Sequence, residues 1–122
     1  MKSLLLIAHG SRRKESNIEV ISIASKLREK TQPQFAHTKY AFLELAQPSI
    51  EEAIDELVEA GTKEIVVLPY FLSAGRHVQE DVPQIIQSKQ MQYADLKLTT
   101  APYLGAANEI LDVLISLAEN PR

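Results

Sequence analysis

Ser3-Leu4-Leu5-Leu6-Ile7-Ala8, followed at once by His9-Gly10-Ser11-Arg12, is the stretch on which the fold of this 122-residue chain turns. After Ser3 the run is continuously apolar, with no alternation between hydrophobic and polar positions. A strand with one wet face alternates, whereas a strand covered by helices on both faces reads as an unbroken hydrophobic run. Residues 3–8 are therefore expected to form a central strand of a parallel sheet. Glu64-Ile65-Val66-Val67-Leu68 has the same character and predicts a second strand buried on both faces.

The segments around these two runs alternate in period. Residues 15–30 carry Ile18, Ile21, Ala24 and Leu27 on one stripe with Val20 and Ile23 beside it, which is helical spacing. Residues 37–45, with Tyr40 and Phe42, predict a strand. Pro48 precedes Ser49, and Glu52 follows three residues later as a capping box; Ile50, Ala53, Ile54, Leu57 and Val58 continue that helix until Gly61. Residues 78–88 predict a helix that Pro83 makes a bent turn at first and regular only from there. Residues 96–101 predict a last strand, and residues 108–118 a last helix with Ile110, Leu111, Leu114, Ile115 and Ala118 on one face. Strand and helix alternate with short connections, which implies an α/β fold. Its three layers are a four-stranded parallel sheet and the helices flanking it on both faces through right-handed crossovers, a flavodoxin-like layout. With no internal repeat, low-complexity tract or Pro/Gly-rich linker, residues 1–122 are expected to be a single domain.

Bulk chemistry narrows the function. A hydrophobic content of 45% supplies one core, and the absence of cysteine removes disulfides, thiolate metal sites and thiol nucleophiles together. Any transition-metal contact must then come from His or carboxylate. A net charge of −3 with interleaved signs offers no basic field for nucleic acid. The apolar run before His9 is too short for a signal peptide or a membrane span, so a cytoplasmic protein without membrane partners is expected.

In open parallel sheets ligands collect beyond the carboxyl ends of the strands. There stand His9-Gly10-Ser11-Arg12-Arg13-Lys14, then Glu44, then Pro69-Tyr70-Phe71-Leu72-Ser73-Ala74-Gly75-Arg76-His77. Two of the three histidines, 68 positions apart, and a carboxylate thus share one sheet edge. Taken singly, His9 can be a loop residue on a backbone carbonyl, His77 a first-turn helix residue, and Glu44 a solvated loop side chain. Together they point to chemistry. His37 opens its strand at the opposite end and has no assigned role beyond a surface position. Arg12, Arg13 and Lys14 lie beside a helix N-terminus, where cations work against the macrodipole; either they extend into water or they face an acidic ligand. Arg76 adds a fourth cation. Tyr70-Phe71-Leu72 can lid the core or make a flat apolar wall for a planar ligand, and Gly10 and Gly75 permit close backbone approach.

Two stretches, Leu5-Leu6-Ile7-Ala8-His9-Gly10-Ser11-Arg12 and the run from Val67 to Pro83, resemble the short form of the sirohydrochlorin cobaltochelatase/ferrochelatase family, the class II chelatases. The similarity runs nearly the whole length. It implies one half of a bilobal chelatase fold and a homodimer that rebuilds the whole. It also implies an enzyme that inserts Co2+ or Fe2+, with Ni2+ also open, into the anionic tetrapyrrole sirohydrochlorin of cobalamin or siroheme biosynthesis. The metal is substrate, and no tightly bound cofactor is expected. The family's metal-handling histidines fall on His9 and His77 and its acidic partner on Glu44. Substrate contacts are expected from Ser11, Arg12, Arg13, Tyr70, Phe71, Leu72, Ser73, Ala74, Gly75 and Arg76.

The residues agree with such chemistry. Neutral imidazole, with a reference pKa near ~6.5, binds borderline divalent metals and accepts protons near neutral pH. Two imidazoles and one carboxylate leave coordination positions open for water and incoming pyrrole nitrogens. Two other classes compete. A histidine-phosphatase-like phosphoryl transfer enzyme also places His-Gly after its first strand, but pairs an Arg directly before that His, where this chain has Ala8. A non-catalytic tetrapyrrole or metal-binding module would bind without turnover.

Overall fold

The structure, a computed structural model, describes residues 1–121; Arg122 and the side chain of His77 lie outside the described residues. The order is β1 (Lys2–Ala8), α1 (Lys14–Thr31), β2 (His37–Phe42), α2 (Ile50–Glu59), β3 (Glu64–Pro69), α3 (Arg76–Gln92), β4 (Lys97–Thr100), a short 3-10 turn (Leu104–Ala106) and α4 (Glu109–Glu119). All pairings are parallel and the strand order is β2-β1-β3-β4. β1 is thus internal, with Leu6 beside Tyr40 on one flank and Leu68 on the other. This is the expected α/β layout.

Alternation along the strands divides the core into two layers. Leu5, Ile7, Ile65 and Val67 point to the face covered by α2 and α3 and pack with Ile50, Ile54, Leu57, Val78 and Val82. Leu6, Ala8 and Phe42 point the other way, against Val20 and Ala24 of α1. Ile50, Ile54 and Leu57 are fully buried, each side chain stabilising the fold by about 1.5–3 kcal/mol. The α2 capping box is as expected: the Glu52 backbone N–H donates to Ser49 Oγ at 3.1 Å and the Ser49 N–H to Glu52 Oε1 at 3.0 Å. A polar staple joins α2 to α3, where the largely buried Lys89 ammonium and the Tyr93 hydroxyl both donate to Asp55 Oδ1, at 2.8 and 2.6 Å. These two bonds, that from Lys89 first, hold the Asp55 carboxyl below its ordinary range, and the bond to Asp55 pushes the Tyr93 phenol up.

Several expectations are corrected. β2 stops at Phe42, not at residue 45: Leu45 takes a positive φ of 67° and the Phe42 N–H turns to the Pro48 carbonyl. α3 begins at Arg76 and runs through Pro83 to Gln92 without a separate bent turn. On α1 the buried residues are Val20 and Ala24, while Ile18 stays 60% exposed. β3 is fully buried on one face only; Val66 and Leu68 on the other are half-buried. The reason lies in α4, which leaves that half of the sheet uncovered. No residue of α4 is buried, and Leu111, Val113, Leu114, Ile115 and Leu117 are each more than half exposed.

Candidate functional site at the carboxyl edge of the sheet

The loop after β1 and the loop after β2 run side by side because sheet pairing continues past the strand ends. Leu43 N–H donates to the Ala8 carbonyl at 2.9 Å and Glu44 N–H to the His9 carbonyl at 3.0 Å. Gly10 makes this approach possible: its φ is +97°, and a Cβ there would overlap the Glu44 carbonyl oxygen. The consequence is a paired site, with His9 Nε2 and Glu44 Oε2 3.0 Å apart and both side chains nearly half exposed, at 47% and 44%. Imidazole and carboxylate, each open to a bland reading when taken singly, are in contact.

Behind His9 the chain is tied to α1. Ser11 N–H donates to Asn17 Oδ1 at 3.0 Å, Asn17 Nδ2 donates to the Ser11 carbonyl at 2.8 Å, and the Arg13 N–H donates to Ser11 Oγ at 3.0 Å. Arg12, Arg13 and Lys14 are exposed at the helix N-terminus, which has no side-chain cap. Their charge faces solvent beside the His9 loop.

The third loop, after β3, is more divided than its sequence implies. Tyr70 is anchored through its N–H to the Ile7 carbonyl at 2.8 Å and is partly exposed. Phe71 is buried in the core, so it forms a floor, not a wall facing solvent. Leu72 is 72% exposed and Ser73 is exposed. Ala74 lines an apolar hollow of about 270 Å³ with Phe71, Val78, Val82 and Tyr103. Gly75 caps α3, and Arg76 is spent on an exposed i,i+4 pair with Glu80 at 3.2 Å. His77 is the second residue of α3, at the same sheet edge as His9 by topology, with its side chain outside the described residues. His37, at the amino end of β2, is far from this edge.

Sequence reasoning missed the second wall. A hollow of about 350 Å³ opens beside Glu44 and is lined by Glu51, Asp81, Gln84 and Ser88. A signal existed: positions 81, 84 and 88 recur at helical spacing on α3 and are all polar. Asn17 was also missed, because an Asn early in a helix looks like ordinary surface. Among the described residues no group of three or more His, Asp or Glu is gathered closely enough to hold a metal ion. No described helix is long and apolar enough to cross a membrane.

Residues 3–120 match the model of the family described as CbiX. The chain is 35% identical over 119 residues to the sirohydrochlorin cobaltochelatase of Sulfolobus acidocaldarius, covering 98% of this chain and 91% of that one. It is 38% identical over 112 residues to the chloroplastic sirohydrochlorin ferrochelatase of Arabidopsis thaliana, covering 91% of this chain and 48% of the relative, about half its length. Among solved structures, a cobalamin biosynthesis CbiX protein from Marinobacter aquaeolei superposes with a TM-score of 0.83 at 22% identity, over 98% of this chain and 93% of that one. SirB from Bacillus subtilis with Fe3+ gives 0.84 at 22% identity over 99% of this chain and 48% of that one. These two likenesses carry the fold.

Proposed function

The chain belongs to the CbiX family, and from that premise we propose that it is a sirohydrochlorin chelatase, inserting Co2+ or Fe2+, with Ni2+ also accepted by its donor chemistry, into the tetrapyrrole. The single observation that carries the reading is the His9–Glu44 pair, 3.0 Å apart at the carboxyl edge of the sheet. Insertion exchanges one divalent cation for two pyrrole N–H protons, so the site must hold a cation loosely and receive protons. His9 supplies a borderline nitrogen donor that can also take up a proton, and Glu44 fixes the orientation of its ring and adds negative charge. His77 is the second imidazole of the proposed metal pair. Glu51 and Asp81 beside Glu44 make the approach acidic, which favours a cation over an anion there.

The opposite flank is assigned to the carboxylates of the substrate. Arg12 and Arg13 are exposed at the α1 N-terminus, with Ser11 tied into the same loop, a suitable arrangement for pairing acidic side arms. Tyr70, Leu72 and the chain from Ser73 to Arg76, over the Phe71 floor, are assigned to the ring. No tightly bound cofactor is needed for this chemistry.

The working unit is proposed to be a homodimer of single-domain chains, each one half of a bilobal shape, in the cytoplasm. One feature supports it: α4 presents five large apolar side chains to solvent in the single subunit. Sedimentation velocity distinguishes dimer from monomer directly.

The test of activity is anaerobic visible spectroscopy of sirohydrochlorin with Co2+, Fe2+ or Ni2+. Loss of a positioned base and ligand is expected to slow the enzyme-dependent reaction by about 100-fold or more in His9→Ala and in His77→Ala, with the far-UV spectrum unchanged. Wild-type rates in both variants would reject the roles given to the two imidazoles.

A further inference from the structure

We infer that Asn17, on the second turn of α1, is a positioning residue for His9. The inference rests on the reading of His9 and Glu44 as the metal-handling pair. Asn17 itself stands six residues beyond Ser11 and touches neither reacting group. Its side-chain amide engages both backbone groups of one residue, accepting from the Ser11 N–H at 3.0 Å and donating to the Ser11 carbonyl at 2.8 Å. An amide bound in this way replaces a neighbouring strand, fixing the position and orientation of Ser11 through the two peptide groups that flank it.

The two sides of the His9 loop are held by different means. On the β2 side the backbone bonds of Leu43 and Glu44 fix the carbonyls of Ala8 and His9. They set the height of the loop over the sheet. On the α1 side, the Asn17 clamp holds Ser11 to the helix, whereas the Arg13–Ser11 bond lies within the loop itself. Gly10 between them, at φ +97°, has no side chain to limit its rotation, so the Ser11 anchor decides which Gly10 conformation persists. A swing about Gly10 would alter the direction of His9 and lengthen its contact with Glu44. It would also carry Arg12 and Arg13 with it. Asn17 is half-buried, which strengthens both bonds against competition from water.

The chemistry of the amide specifies the variants. Asn17→Leu is close in volume and removes both bonds. Asn17→Asp keeps the acceptor for the Ser11 N–H but places a carboxylate oxygen against the Ser11 carbonyl, so one bond becomes a repulsion. Asn17→Leu is expected to lower both Co2+ affinity, measured on the protein without tetrapyrrole, and kcat for insertion by about 10- to 100-fold, as a displacement of His9 approaching 1 Å would. Amide exchange at Ser11 should accelerate, and the thermal midpoint should fall by several degrees with the loss of the two bonds. The deciding measurement is a double-variant cycle. If Asn17 acts through His9, then Asn17→Leu in a His9→Ala background costs no further Co2+ affinity and no further rate.

An additive loss in the double variant would overturn the inference, because it would mean that the clamp serves general stability. So would wild-type Co2+ affinity and kcat in Asn17→Leu despite fast Ser11 exchange. A wild-type protein that binds Co2+ but inserts no metal would reject the chelatase reading alone and leave the affinity cycle to decide the role of Asn17. Wild-type protein that binds no Co2+ rejects both.

Discussion

Replacing Gly10 with alanine adds one methyl group and should damage the site more than any single loss of charge around it. Two costs are legible. The left-handed φ of +97° is unfavourable for any residue with a Cβ, by about 1–2 kcal/mol. The new Cβ would also overlap the Glu44 carbonyl oxygen and crowd the Phe42 side chain. Backbone cannot yield as a flexible side chain does, so relief requires the loops after β1 and β2 to part. Parting them breaks the bonds from Leu43 N–H to Ala8 and from Glu44 N–H to His9, about 1 kcal/mol each. The expected destabilisation is about 3–4 kcal/mol, within what a domain of this size tolerates while staying folded. Urea unfolding followed by circular dichroism measures it. Because the His9–Glu44 contact depends on the same approach, insertion of Co2+ into sirohydrochlorin should fall by about 100-fold, as a misplacement near 1 Å produces. A loss below about 1 kcal/mol with an unchanged insertion rate would refute the claim that close loop approach builds the pair.

Other outcomes follow from the staple between α2 and α3 and from α4. The Asp55 carboxyl is held below its ordinary range by Lys89 and then by Tyr93, so the folded state binds fewer protons there than the unfolded chain. The associated stability is present above about pH 4, the unfolded carboxyl value, and is lost as pH falls through the lower folded value. Asp55→Asn should cost about 1 kcal/mol at neutral pH, given its partial exposure to solvent, and should flatten the acid limb of a stability-against-pH curve. An unchanged acid limb would remove Asp55 from the account. Leu114 lies on the apolar arc of α4 and is 55% exposed in the subunit. Leu114→Glu should leave the subunit fold intact yet weaken a symmetric dimer by over ~100-fold in Kd, since about 1.5–3 kcal/mol is lost twice. Sedimentation over a concentration series reads this, and an undisturbed dimer would place the interface elsewhere.

Much of this protein was written in local pattern. The unbroken run before His9 pointed to a central parallel strand, because a strand covered on both faces needs no polar alternation, and β1 is buried from Ser3 to Ala8; the equally apolar β3 is fully buried on one face only. Ser49 and Glu52 fixed the start of α2 through bonds that close within four residues. Pro83 suggests a bent first turn before a regular helix, yet α3 runs through it from Arg76 to Gln92. The range 37–45 exceeds β2 because, although Leu43 and Glu44 still bond to Ala8 and His9, Leu45 turns to a positive φ and the Phe42 N–H bonds to the Pro48 carbonyl, which no strand propensity encodes.

Residue types and the edge on which they would gather were also legible in sequence, since strand ends in a parallel sheet share one side. Contact between His9 and Glu44 was not, because a separation of 35 positions becomes 3.0 Å only through the register of β1 against β2 and the backbone approach at Gly10. The same holds for Phe71, whose aromatic character fits a core lid and a ligand wall alike until packing places it under the surface. It holds for the apolar side of α4, whose periodicity is plain while its partner is not. Periodicity and capping are set by interactions within a few residues of chain; which faces meet is set by the packing of whole elements, and that is decided only when the tertiary structure forms.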